Sequence, residues 1–319
     1  GAARNVAGMP ESFWKKPAVE RRAAARRGTV STGWWRPYLM LSPALVLLLA
    51  FTIYPMLAAG YMSLFEINMA TKQQMVWAGF ANYKTLFESD AFRQVMKNTL
   101  VFAVGTVPFS LALAMFLAIQ LNKRFRGSGL FRTLFFYPTV IPMMSAATIW
   151  LFMYTPQYGI INRFLAFFGI PDINFLGSAT YALPAIMLMT VWKDAGYFML
   201  FYLAGLQNLP GELYEAADLD GANAWVQFRR LTFPLLMPTT LFVTTVSIIN
   251  SFKTVDQLFL MTGGGPNNAT NLLLYYLFEQ AFSFFDRGMA STMTVILVVI
   301  LLILAIIQNQ WVDKKIHYN

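Results

Sequence analysis

The apolar residues of this chain come in runs long enough to cross a lipid bilayer, and that feature decides what the chain can fold into. A helix needs about 20 mostly apolar residues to span the ~30 Å hydrocarbon core. Six stretches meet that requirement, at about residues 37–64, 99–121, 131–154, 182–205, 238–261 and 290–308. Their ends are set to within about two to four residues. The expectation is an all-α, polytopic membrane protein with six transmembrane helices. Of its 319 residues, 57% are hydrophobic and 12% charged, with a mean hydropathy of +0.51. A soluble protein of this size needs a larger charged shell.

Composition also removes several chemistries. Cysteine is absent and the single histidine is His317, so thiol nucleophiles, thiolate metal sites and histidine triads have no residues to work with. No catalytic residue, metal site or cofactor is expected. The net charge of +9 fits nucleic acid in principle, but it fits a membrane protein with basic cytoplasmic loops better.

The basic residues also orient the spans. Lys15, Lys16, Arg21, Arg22, Arg26, Arg27 and Arg36 precede the first run, followed by Trp34 and Trp35 where an interfacial aromatic belt belongs. Lys123, Arg124, Arg126 and Arg132 lie between the second and third, Arg229 and Arg230 between the fourth and fifth, and Lys314 and Lys315 after the sixth. With six spans all four clusters fall on one side. The opposite side has only a scatter: Lys72, Lys84, Arg93, Lys97, Arg163 and Arg287. Both termini are therefore expected in the cytoplasm. The expected organisation is a basic tail over residues 1–36, a membrane domain over 37–311 and a short tail over 312–319. Residues 1–8, ahead of Met9, read as a remnant foreign to the natural protein. The first run is too long for a secretory signal and lacks a clear cleavage site, so it is expected to stay. The segments 66–97 and 156–178 read as partly helical caps on the outer side.

One cytoplasmic stretch, residues 207–234, has the pattern of a helix, a turn and a second helix. Asn208 and Pro210 suit a helix start, Glu212 and Glu215 the positive end of its dipole, and Gly221 a positive-φ turn. Composition alone leaves it open whether this is an ordinary amphipathic loop or a docking surface. The spacing is informative: Glu215-Ala216-Ala217, three residues, Gly221, nine residues, then Leu231-Thr232-Phe233-Pro234. This resembles the signature of bacterial ABC importer permeases, with Leu231 and Phe233 in place of the usual isoleucine and leucine. Further on, Ser251 to Gln257 and Met261-Thr262-Gly263-Gly264-Gly265-Pro266 look like the carbohydrate permeases of that family, as do Trp192-Lys193 and Ala204 to Gln207. That group includes the first permease subunit of the maltose transporter and the glycerol-3-phosphate permeases.

The resemblance covers about residue 37 to the end, and it implies an ABC importer type I permease core in a bacterial cytoplasmic membrane. It implies that Glu215, Ala216, Ala217, Asp218, Gly221 and Pro234 engage a dimer of cytoplasmic ATPase subunits. It also implies a second permease subunit forming a heterodimer with this chain, and an extracytoplasmic solute-binding protein that delivers a sugar or sugar-like solute. The chain has no Gly-x-x-x-x-Gly-Lys-Ser/Thr loop, so ATP hydrolysis is expected on a partner. The main alternative is a secondary transporter or channel of another class, which would leave the 215–234 pattern unexplained.

Polar residues inside spans need a partner or a role. Thr240, Thr244, Ser247, Ser251 and Thr254 recur at steps of four, three, four and three, on one face of the fifth run, with Asn250 beside them. Hydroxyls and amides suit a sugar's hydroxyls, and small polar residues also suit helix packing. Resemblance to the maltose permease subunit implies that Thr139, Met143, Thr190, Lys193, Asp194, Ser247, Ser251 and Thr254 occupy sugar-contacting positions, partly with different residue types, which points away from maltodextrin. Lys193 and Asp194 sit mid-span and must face protein or water. Lys253 and Asp256, three apart near the outer end of the fifth run, read as a mutual ion pair turned away from the hydroxyl stripe.

Overall fold

A computed structural model describes residues 36–67, 75–123 and 126–315. The basic tail before Arg36, and with it Trp34 and Trp35, lies outside the described residues, as do Lys72, Arg124 and His317. The chain divides into two compact units, Gly1–Ala58 and Ala59–Asn319.

Helix α1 is the apolar run Tyr38–Met62, with a wide π-helical turn at Leu49–Ile53. Pro55 explains that turn. A proline inside a helix would clash with the carbonyl four residues back, and widening the turn before it relieves the clash. The same device returns at Phe228–Thr232, two residues ahead of Pro234.

Beyond α1, a two-stranded antiparallel ladder pairs β1, Phe65–Glu66, with β2, Val76–Trp77. The short helix α2, Ala81–Glu88, follows. Then comes α3, Asp90–Asn122, whose 33 residues measure about 50 Å at 1.5 Å per residue. The Ser89 hydroxyl accepts from the Phe92 N–H and Asp90 sits in the first turn, so the start is capped in both senses. The run expected from residue 99 is therefore longer by nine residues at its start. Hydropathy finds the lipid-crossing stretch and overlooks the polar turns beyond it.

The third run is not one helix. It is α4, Ser128–Val140, and α5, Met143–Met153, bent by 100°. Pro142 forces the preceding residue out of the helical region, and Ile141 is extended at φ −68°, ψ 129°. A short α6, Ile160–Phe167, covers the segment read as an outer cap. The 26-residue α7, Ala182–Gln207, lies along α3 as the central element of the unit. Phe198, Met199 and Tyr202 of α7 are buried with Leu111, Ala114 and Ala118 of α3. Gly196 lets α7 meet α4 backbone to backbone, because a Cβ there would run into the Phe135 carbonyl oxygen.

After α7 come α8, Gly211–Leu219, and α9, Ala224–Leu235, which contains the second π turn. The fifth run, expected to be continuous to residue 261, is broken. Helix α10, Met237–Phe252, stops before Lys253, and α11, Asp256–Met261, starts anew. Val255 between them takes φ −142°, ψ −47°, which no helix continues. Helices α9 and α10 meet at 67°. A short α12, Leu273–Phe278, and the long α13, Arg287–Lys315, complete the described chain. The loop before α12 is tied to α3. The Asn98 side chain donates to the carbonyls of Asn268 and Asn271, and Leu273 N–H donates to the Thr99 hydroxyl.

Three described helices are long and apolar enough to cross a membrane, α1, α3 and α13, and counting each bent pair as one span gives five. Helix α7 is long enough, at about 39 Å, but Lys193-Asp194 interrupts its apolar run.

Candidate functional site

Two places collect the chemistry. The first is a cavity of about 190 Å³ where α5, α7 and the α10–α11 break converge. Met143 comes from the start of α5 and Thr190 and Asp194 from α7, while Asn250, Lys253, Thr254, Val255, Asp256 and Gln257 come from the break. Five of the nine residues expected at a solute site therefore share one space: Met143, Thr190, Asp194, Asn250 and Thr254. A larger cavity of about 630 Å³ lies among α3, α7 and α9, and its lining includes Leu111, Met115, Phe116, Trp225 and Phe228. An apolar space of that kind has little to offer a hydroxylated solute.

The other four expected residues lie beside the polar cavity rather than in its lining. Lys193 is only 8% exposed. Its ammonium donates to the Pro138 carbonyl at 2.8 Å and to the Ile141 carbonyl. The last carbonyls of a helix have no partners within it, and they carry the negative end of its dipole. The 100° break leaves such carbonyls on α4, and Lys193 caps them from the neighbouring helix. Its backbone carbonyl in turn accepts from the Thr139 hydroxyl at 3.4 Å. The two adjacent charges on α7 thus point to different places, Lys193 to α4 and Asp194 to the cavity.

The hydroxyl stripe turns largely inward on its own helix. Thr240, Thr244, Ser251 and Thr254 donate to Leu236, Thr240, Ile248 and Asn250 carbonyls respectively, and Ser247 and Ser251 are buried. Donation to a carbonyl of the preceding turn leaves each hydroxyl oxygen able to accept. Thr254 lies past the end of α10, so the stripe ends on the helix at Ser251. On α7 the Thr190 hydroxyl donates to Ile186 and accepts from Gln257 across the cavity at 3.4 Å.

The expected Lys253–Asp256 ion pair does not form. Among the described residues the ion pairs are Lys84–Glu88 and Asp90–Arg93. The pairing assumed one continuous helix, and the break removes the i,i+3 geometry on which it depended. Neither residue turns away from the polar face, since both line the cavity with Thr254. Val255 and Gln257 are cavity residues that sequence reasoning missed, and Lys253 and Asp256 are two that it assigned to an ion pair instead. The density of polar residues at 250, 253, 254, 256 and 257 was the available signal.

The second place is the segment from α8 to α9. Helix α8 starts after Pro210, not at Asn208, which instead ends α7. Its end is a Schellman motif. Ala222 N–H donates to Ala217 C=O, Gly221 N–H donates to Asp218 C=O, and Gly221 sits at φ +73°. Asn223 then caps α9 through the Val226 N–H. Gln227 of α9 donates to the Asp218 carboxylate at 2.6 Å and to the Ala222 carbonyl, and Tyr214 and Thr232 share a 3.0 Å hydroxyl bond. These bonds fold the two helices together. The apolar side chains they leave outside are large, with Leu219 91% and Trp225 67% exposed. Glu215, Ala216 and Asp218 are also exposed, and Ala217 is half-buried.

The matching family model, described as the binding-protein-dependent transport system inner membrane component, covers residues 110–318, which include both places. The sn-glycerol-3-phosphate transport system permease protein of Agrobacterium fabrum is 33% identical over 284 residues, covering 89% of this chain and 96% of that protein. A probable ABC transporter permease protein of Bacillus subtilis is 34% identical over 287 residues, covering 88% and 92%. Among solved structures, a bacterial ABC transporter involved in import of the acidic polysaccharide alginate has the same fold. Its TM-score is 0.78 at 23% identity, over 89% of this chain and 96% of that one. The bends, the broken helices and the exposed α8–α9 segment are therefore those of a transport subunit, and the chain belongs to the inner membrane components of bacterial binding-protein-dependent transport systems.

Proposed function

We propose that this chain is one transmembrane half of an ATP-driven importer for a sugar or sugar-like solute, of the oligosaccharide, glycoside, polyol or glycerol-3-phosphate type. A second permease subunit supplies the other half, a dimer of ATPase subunits binds from the cytoplasm, and the binding protein delivers solute from outside. The observation that carries this reading is the α8–α9 segment. It exposes Leu219 beside Glu215 and Asp218, turns at Gly221 and returns to the membrane at Pro234, in the spacing characteristic of this family. An exposed leucine on a rigid, well-bonded helix pair is a surface awaiting a partner.

In this reading six spans cross the membrane: α1, α3, the α4–α5 pair, α7, the α10–α11 pair and α13. Both termini then share the cytoplasmic side with the α8–α9 segment. The domain organisation is a basic tail over 1–36, the membrane domain over 37–311 and a tail over 312–319. Solute passes the cavity formed by Met143, Thr190, Asp194, Asn250 and Thr254, with Thr139, Ser247 and Ser251 in the surrounding wall. The test is a photo-crosslinking residue at Leu219 in the assembled importer, with single cysteines at Gln157 and Asn223 for topology. Crosslinks to the ATPase, outside labelling at 157 and inside labelling at 223 are expected. A crosslink to lipid alone, or the reverse labelling, defeats the reading.

A further inference from the structure

We infer that the apolar groove between α3 and α9 is a binding site for an anionic phospholipid of the cytoplasmic leaflet. The leaflet rests on the proposed placement of the α8–α9 segment in the cytoplasm.

The groove is the cavity of about 630 Å³ lined by α3, α7, α9 and the first turn of α10. Its α3 wall includes Pro108, Ala112, Phe116 and Gln120, four residues apart and all exposed. That spacing makes a strip along one helix face. From Pro108 to Gln120 the strip rises about 18 Å, close to the ~15 Å of hydrocarbon in one leaflet. The lining is apolar apart from Gln120, Tyr202, Thr240 and the Trp225 indole N–H. A slot of that length and character fits an acyl chain.

One end of the groove suits a headgroup. Gln120 lies two residues from the end of α3, and Tyr202 five residues from the end of α7. Five residues are about 8 Å, roughly the depth of the polar layer of a bilayer. The Tyr202 hydroxyl is buried without a hydrogen bond of normal geometry, and Thr240 beside it gives its own proton to the Leu236 carbonyl. A lipid ester carbonyl would offer that hydroxyl an acceptor. Trp225 and Phe228 stack at 5.6 Å, with Phe233 at 6.1 Å from Phe228, an aromatic set of the kind that sits at a lipid–water boundary. Arg229 follows Trp225 by four and precedes Phe233 by four, so it shares a face with two groove residues. It is exposed, and among the described residues no carboxylate pairs with it. Helix α9 carries Arg229 and Arg230 and no acid. A lipid phosphate at this end meets a guanidinium with its donors free.

The test puts a photo-crosslinking phenylalanine analogue at Phe116 of the assembled importer. Nanodiscs hold equal amounts of phosphatidylglycerol and phosphatidylcholine, and mass spectrometry identifies the adducts. The same analogue at Val104, exposed and outside the groove, reports the bilayer ratio. At position 116 phosphatidylglycerol adducts should exceed that ratio by about fivefold, as expected for one basic residue at a membrane surface. Adding Arg229→Gln should return the ratio to that at Val104, and adding Ala112→Trp should fill the slot and lower both adducts at 116. The bilayer ratio at 116 in the parent overturns the lipid preference. An excess that survives Arg229→Gln overturns the role of that arginine. An adduct to another polypeptide in place of lipid gives the groove to a partner subunit and overturns the site. Outside labelling of a cysteine at Asn223 would overturn the orientation, and with it the leaflet, while the adducts at 116 still decide the lipid.

Discussion

The cavity at the α10–α11 break and the α8–α9 segment each hold side chains in the wrong solvent, in opposite senses. At the cavity, charges sit between apolar helices. Lys193 is buried against backbone carbonyls, while Asp194, Lys253 and Asp256 line a small space. At α8–α9, apolar side chains stand out of the protein, led by Leu219 and Trp225. A charge in the membrane is retained either because protein satisfies it, as with Lys193, or because something polar enters, as we argue for the other three. A leucine in the open contributes nothing to this chain's own stability. Its contribution has to come from whatever covers it.

That contrast predicts effects of different kinds at the two places. The largest effect on stability is expected for Lys193→Met. It orphans two carbonyls at the end of α4, at about 1–3 kcal/mol for each buried group left without a partner. Thermal unfolding of the detergent-solubilised chain should show a clearly lower midpoint, and the uptake defect should follow the loss of assembled protein. Unchanged unfolding would mean that the lysine does not hold the end of α4 and is free to serve solute. Gly221→Val is expected to be intermediate. A β-branched residue at φ +73° costs roughly 1–2 kcal/mol, confined to the α8–α9 turn. Solute-stimulated ATP hydrolysis should fall while the membrane helices unfold as before. If hydrolysis stays normal, the turn is not what transmits ATPase closure. The smallest stability effect belongs to Leu219→Ala, within about ±0.5 kcal/mol as for other surface changes. Co-purification with the ATPase should nevertheless weaken by roughly tenfold, since burying one leucine is worth about 1.5–3 kcal/mol. Undiminished co-purification would make Leu219 a bystander on that surface.

The sequence showed where the chain crosses apolar territory and little of how it bends there. Residues 37–64, 182–205 and 290–308 correspond to α1, α7 and α13 with modest changes at the ends, because long apolar runs and helix length are the same signal. The α4–α5 bend was legible in principle, since Pro142 is written in the chain; Pro138, four residues earlier and inside α4, shows why proline alone does not locate a break. The gap at Lys253–Val255 has no such marker; beyond it α11 packs against α5. Gly221 was read correctly as a positive-φ turn because its requirement is local. The role of Lys193 was out of reach, because its partners are carbonyls of a helix more than fifty positions away, exposed by a bend not foreseen. The hydroxyl stripe was found by periodicity, which gives a face but not what the hydroxyls bond to.

The 67° angle between α9 and α10 gives the α8–α9 segment mechanical reach. Pro234 lies near the end of one arm and Pro238 at the start of the other, with Leu236 buried at the corner. Two arms joined at a packed corner form a crank. In the proposed importer, an ATPase subunit that pushed α9 out of the plane of the two arms would turn α10 about its own length. Rotation is the motion that re-aims a row of side chains, and α10 carries Ser247 and Ser251 and leads directly into the lysine and threonine of the cavity wall. Such a turn would change what the cavity presents.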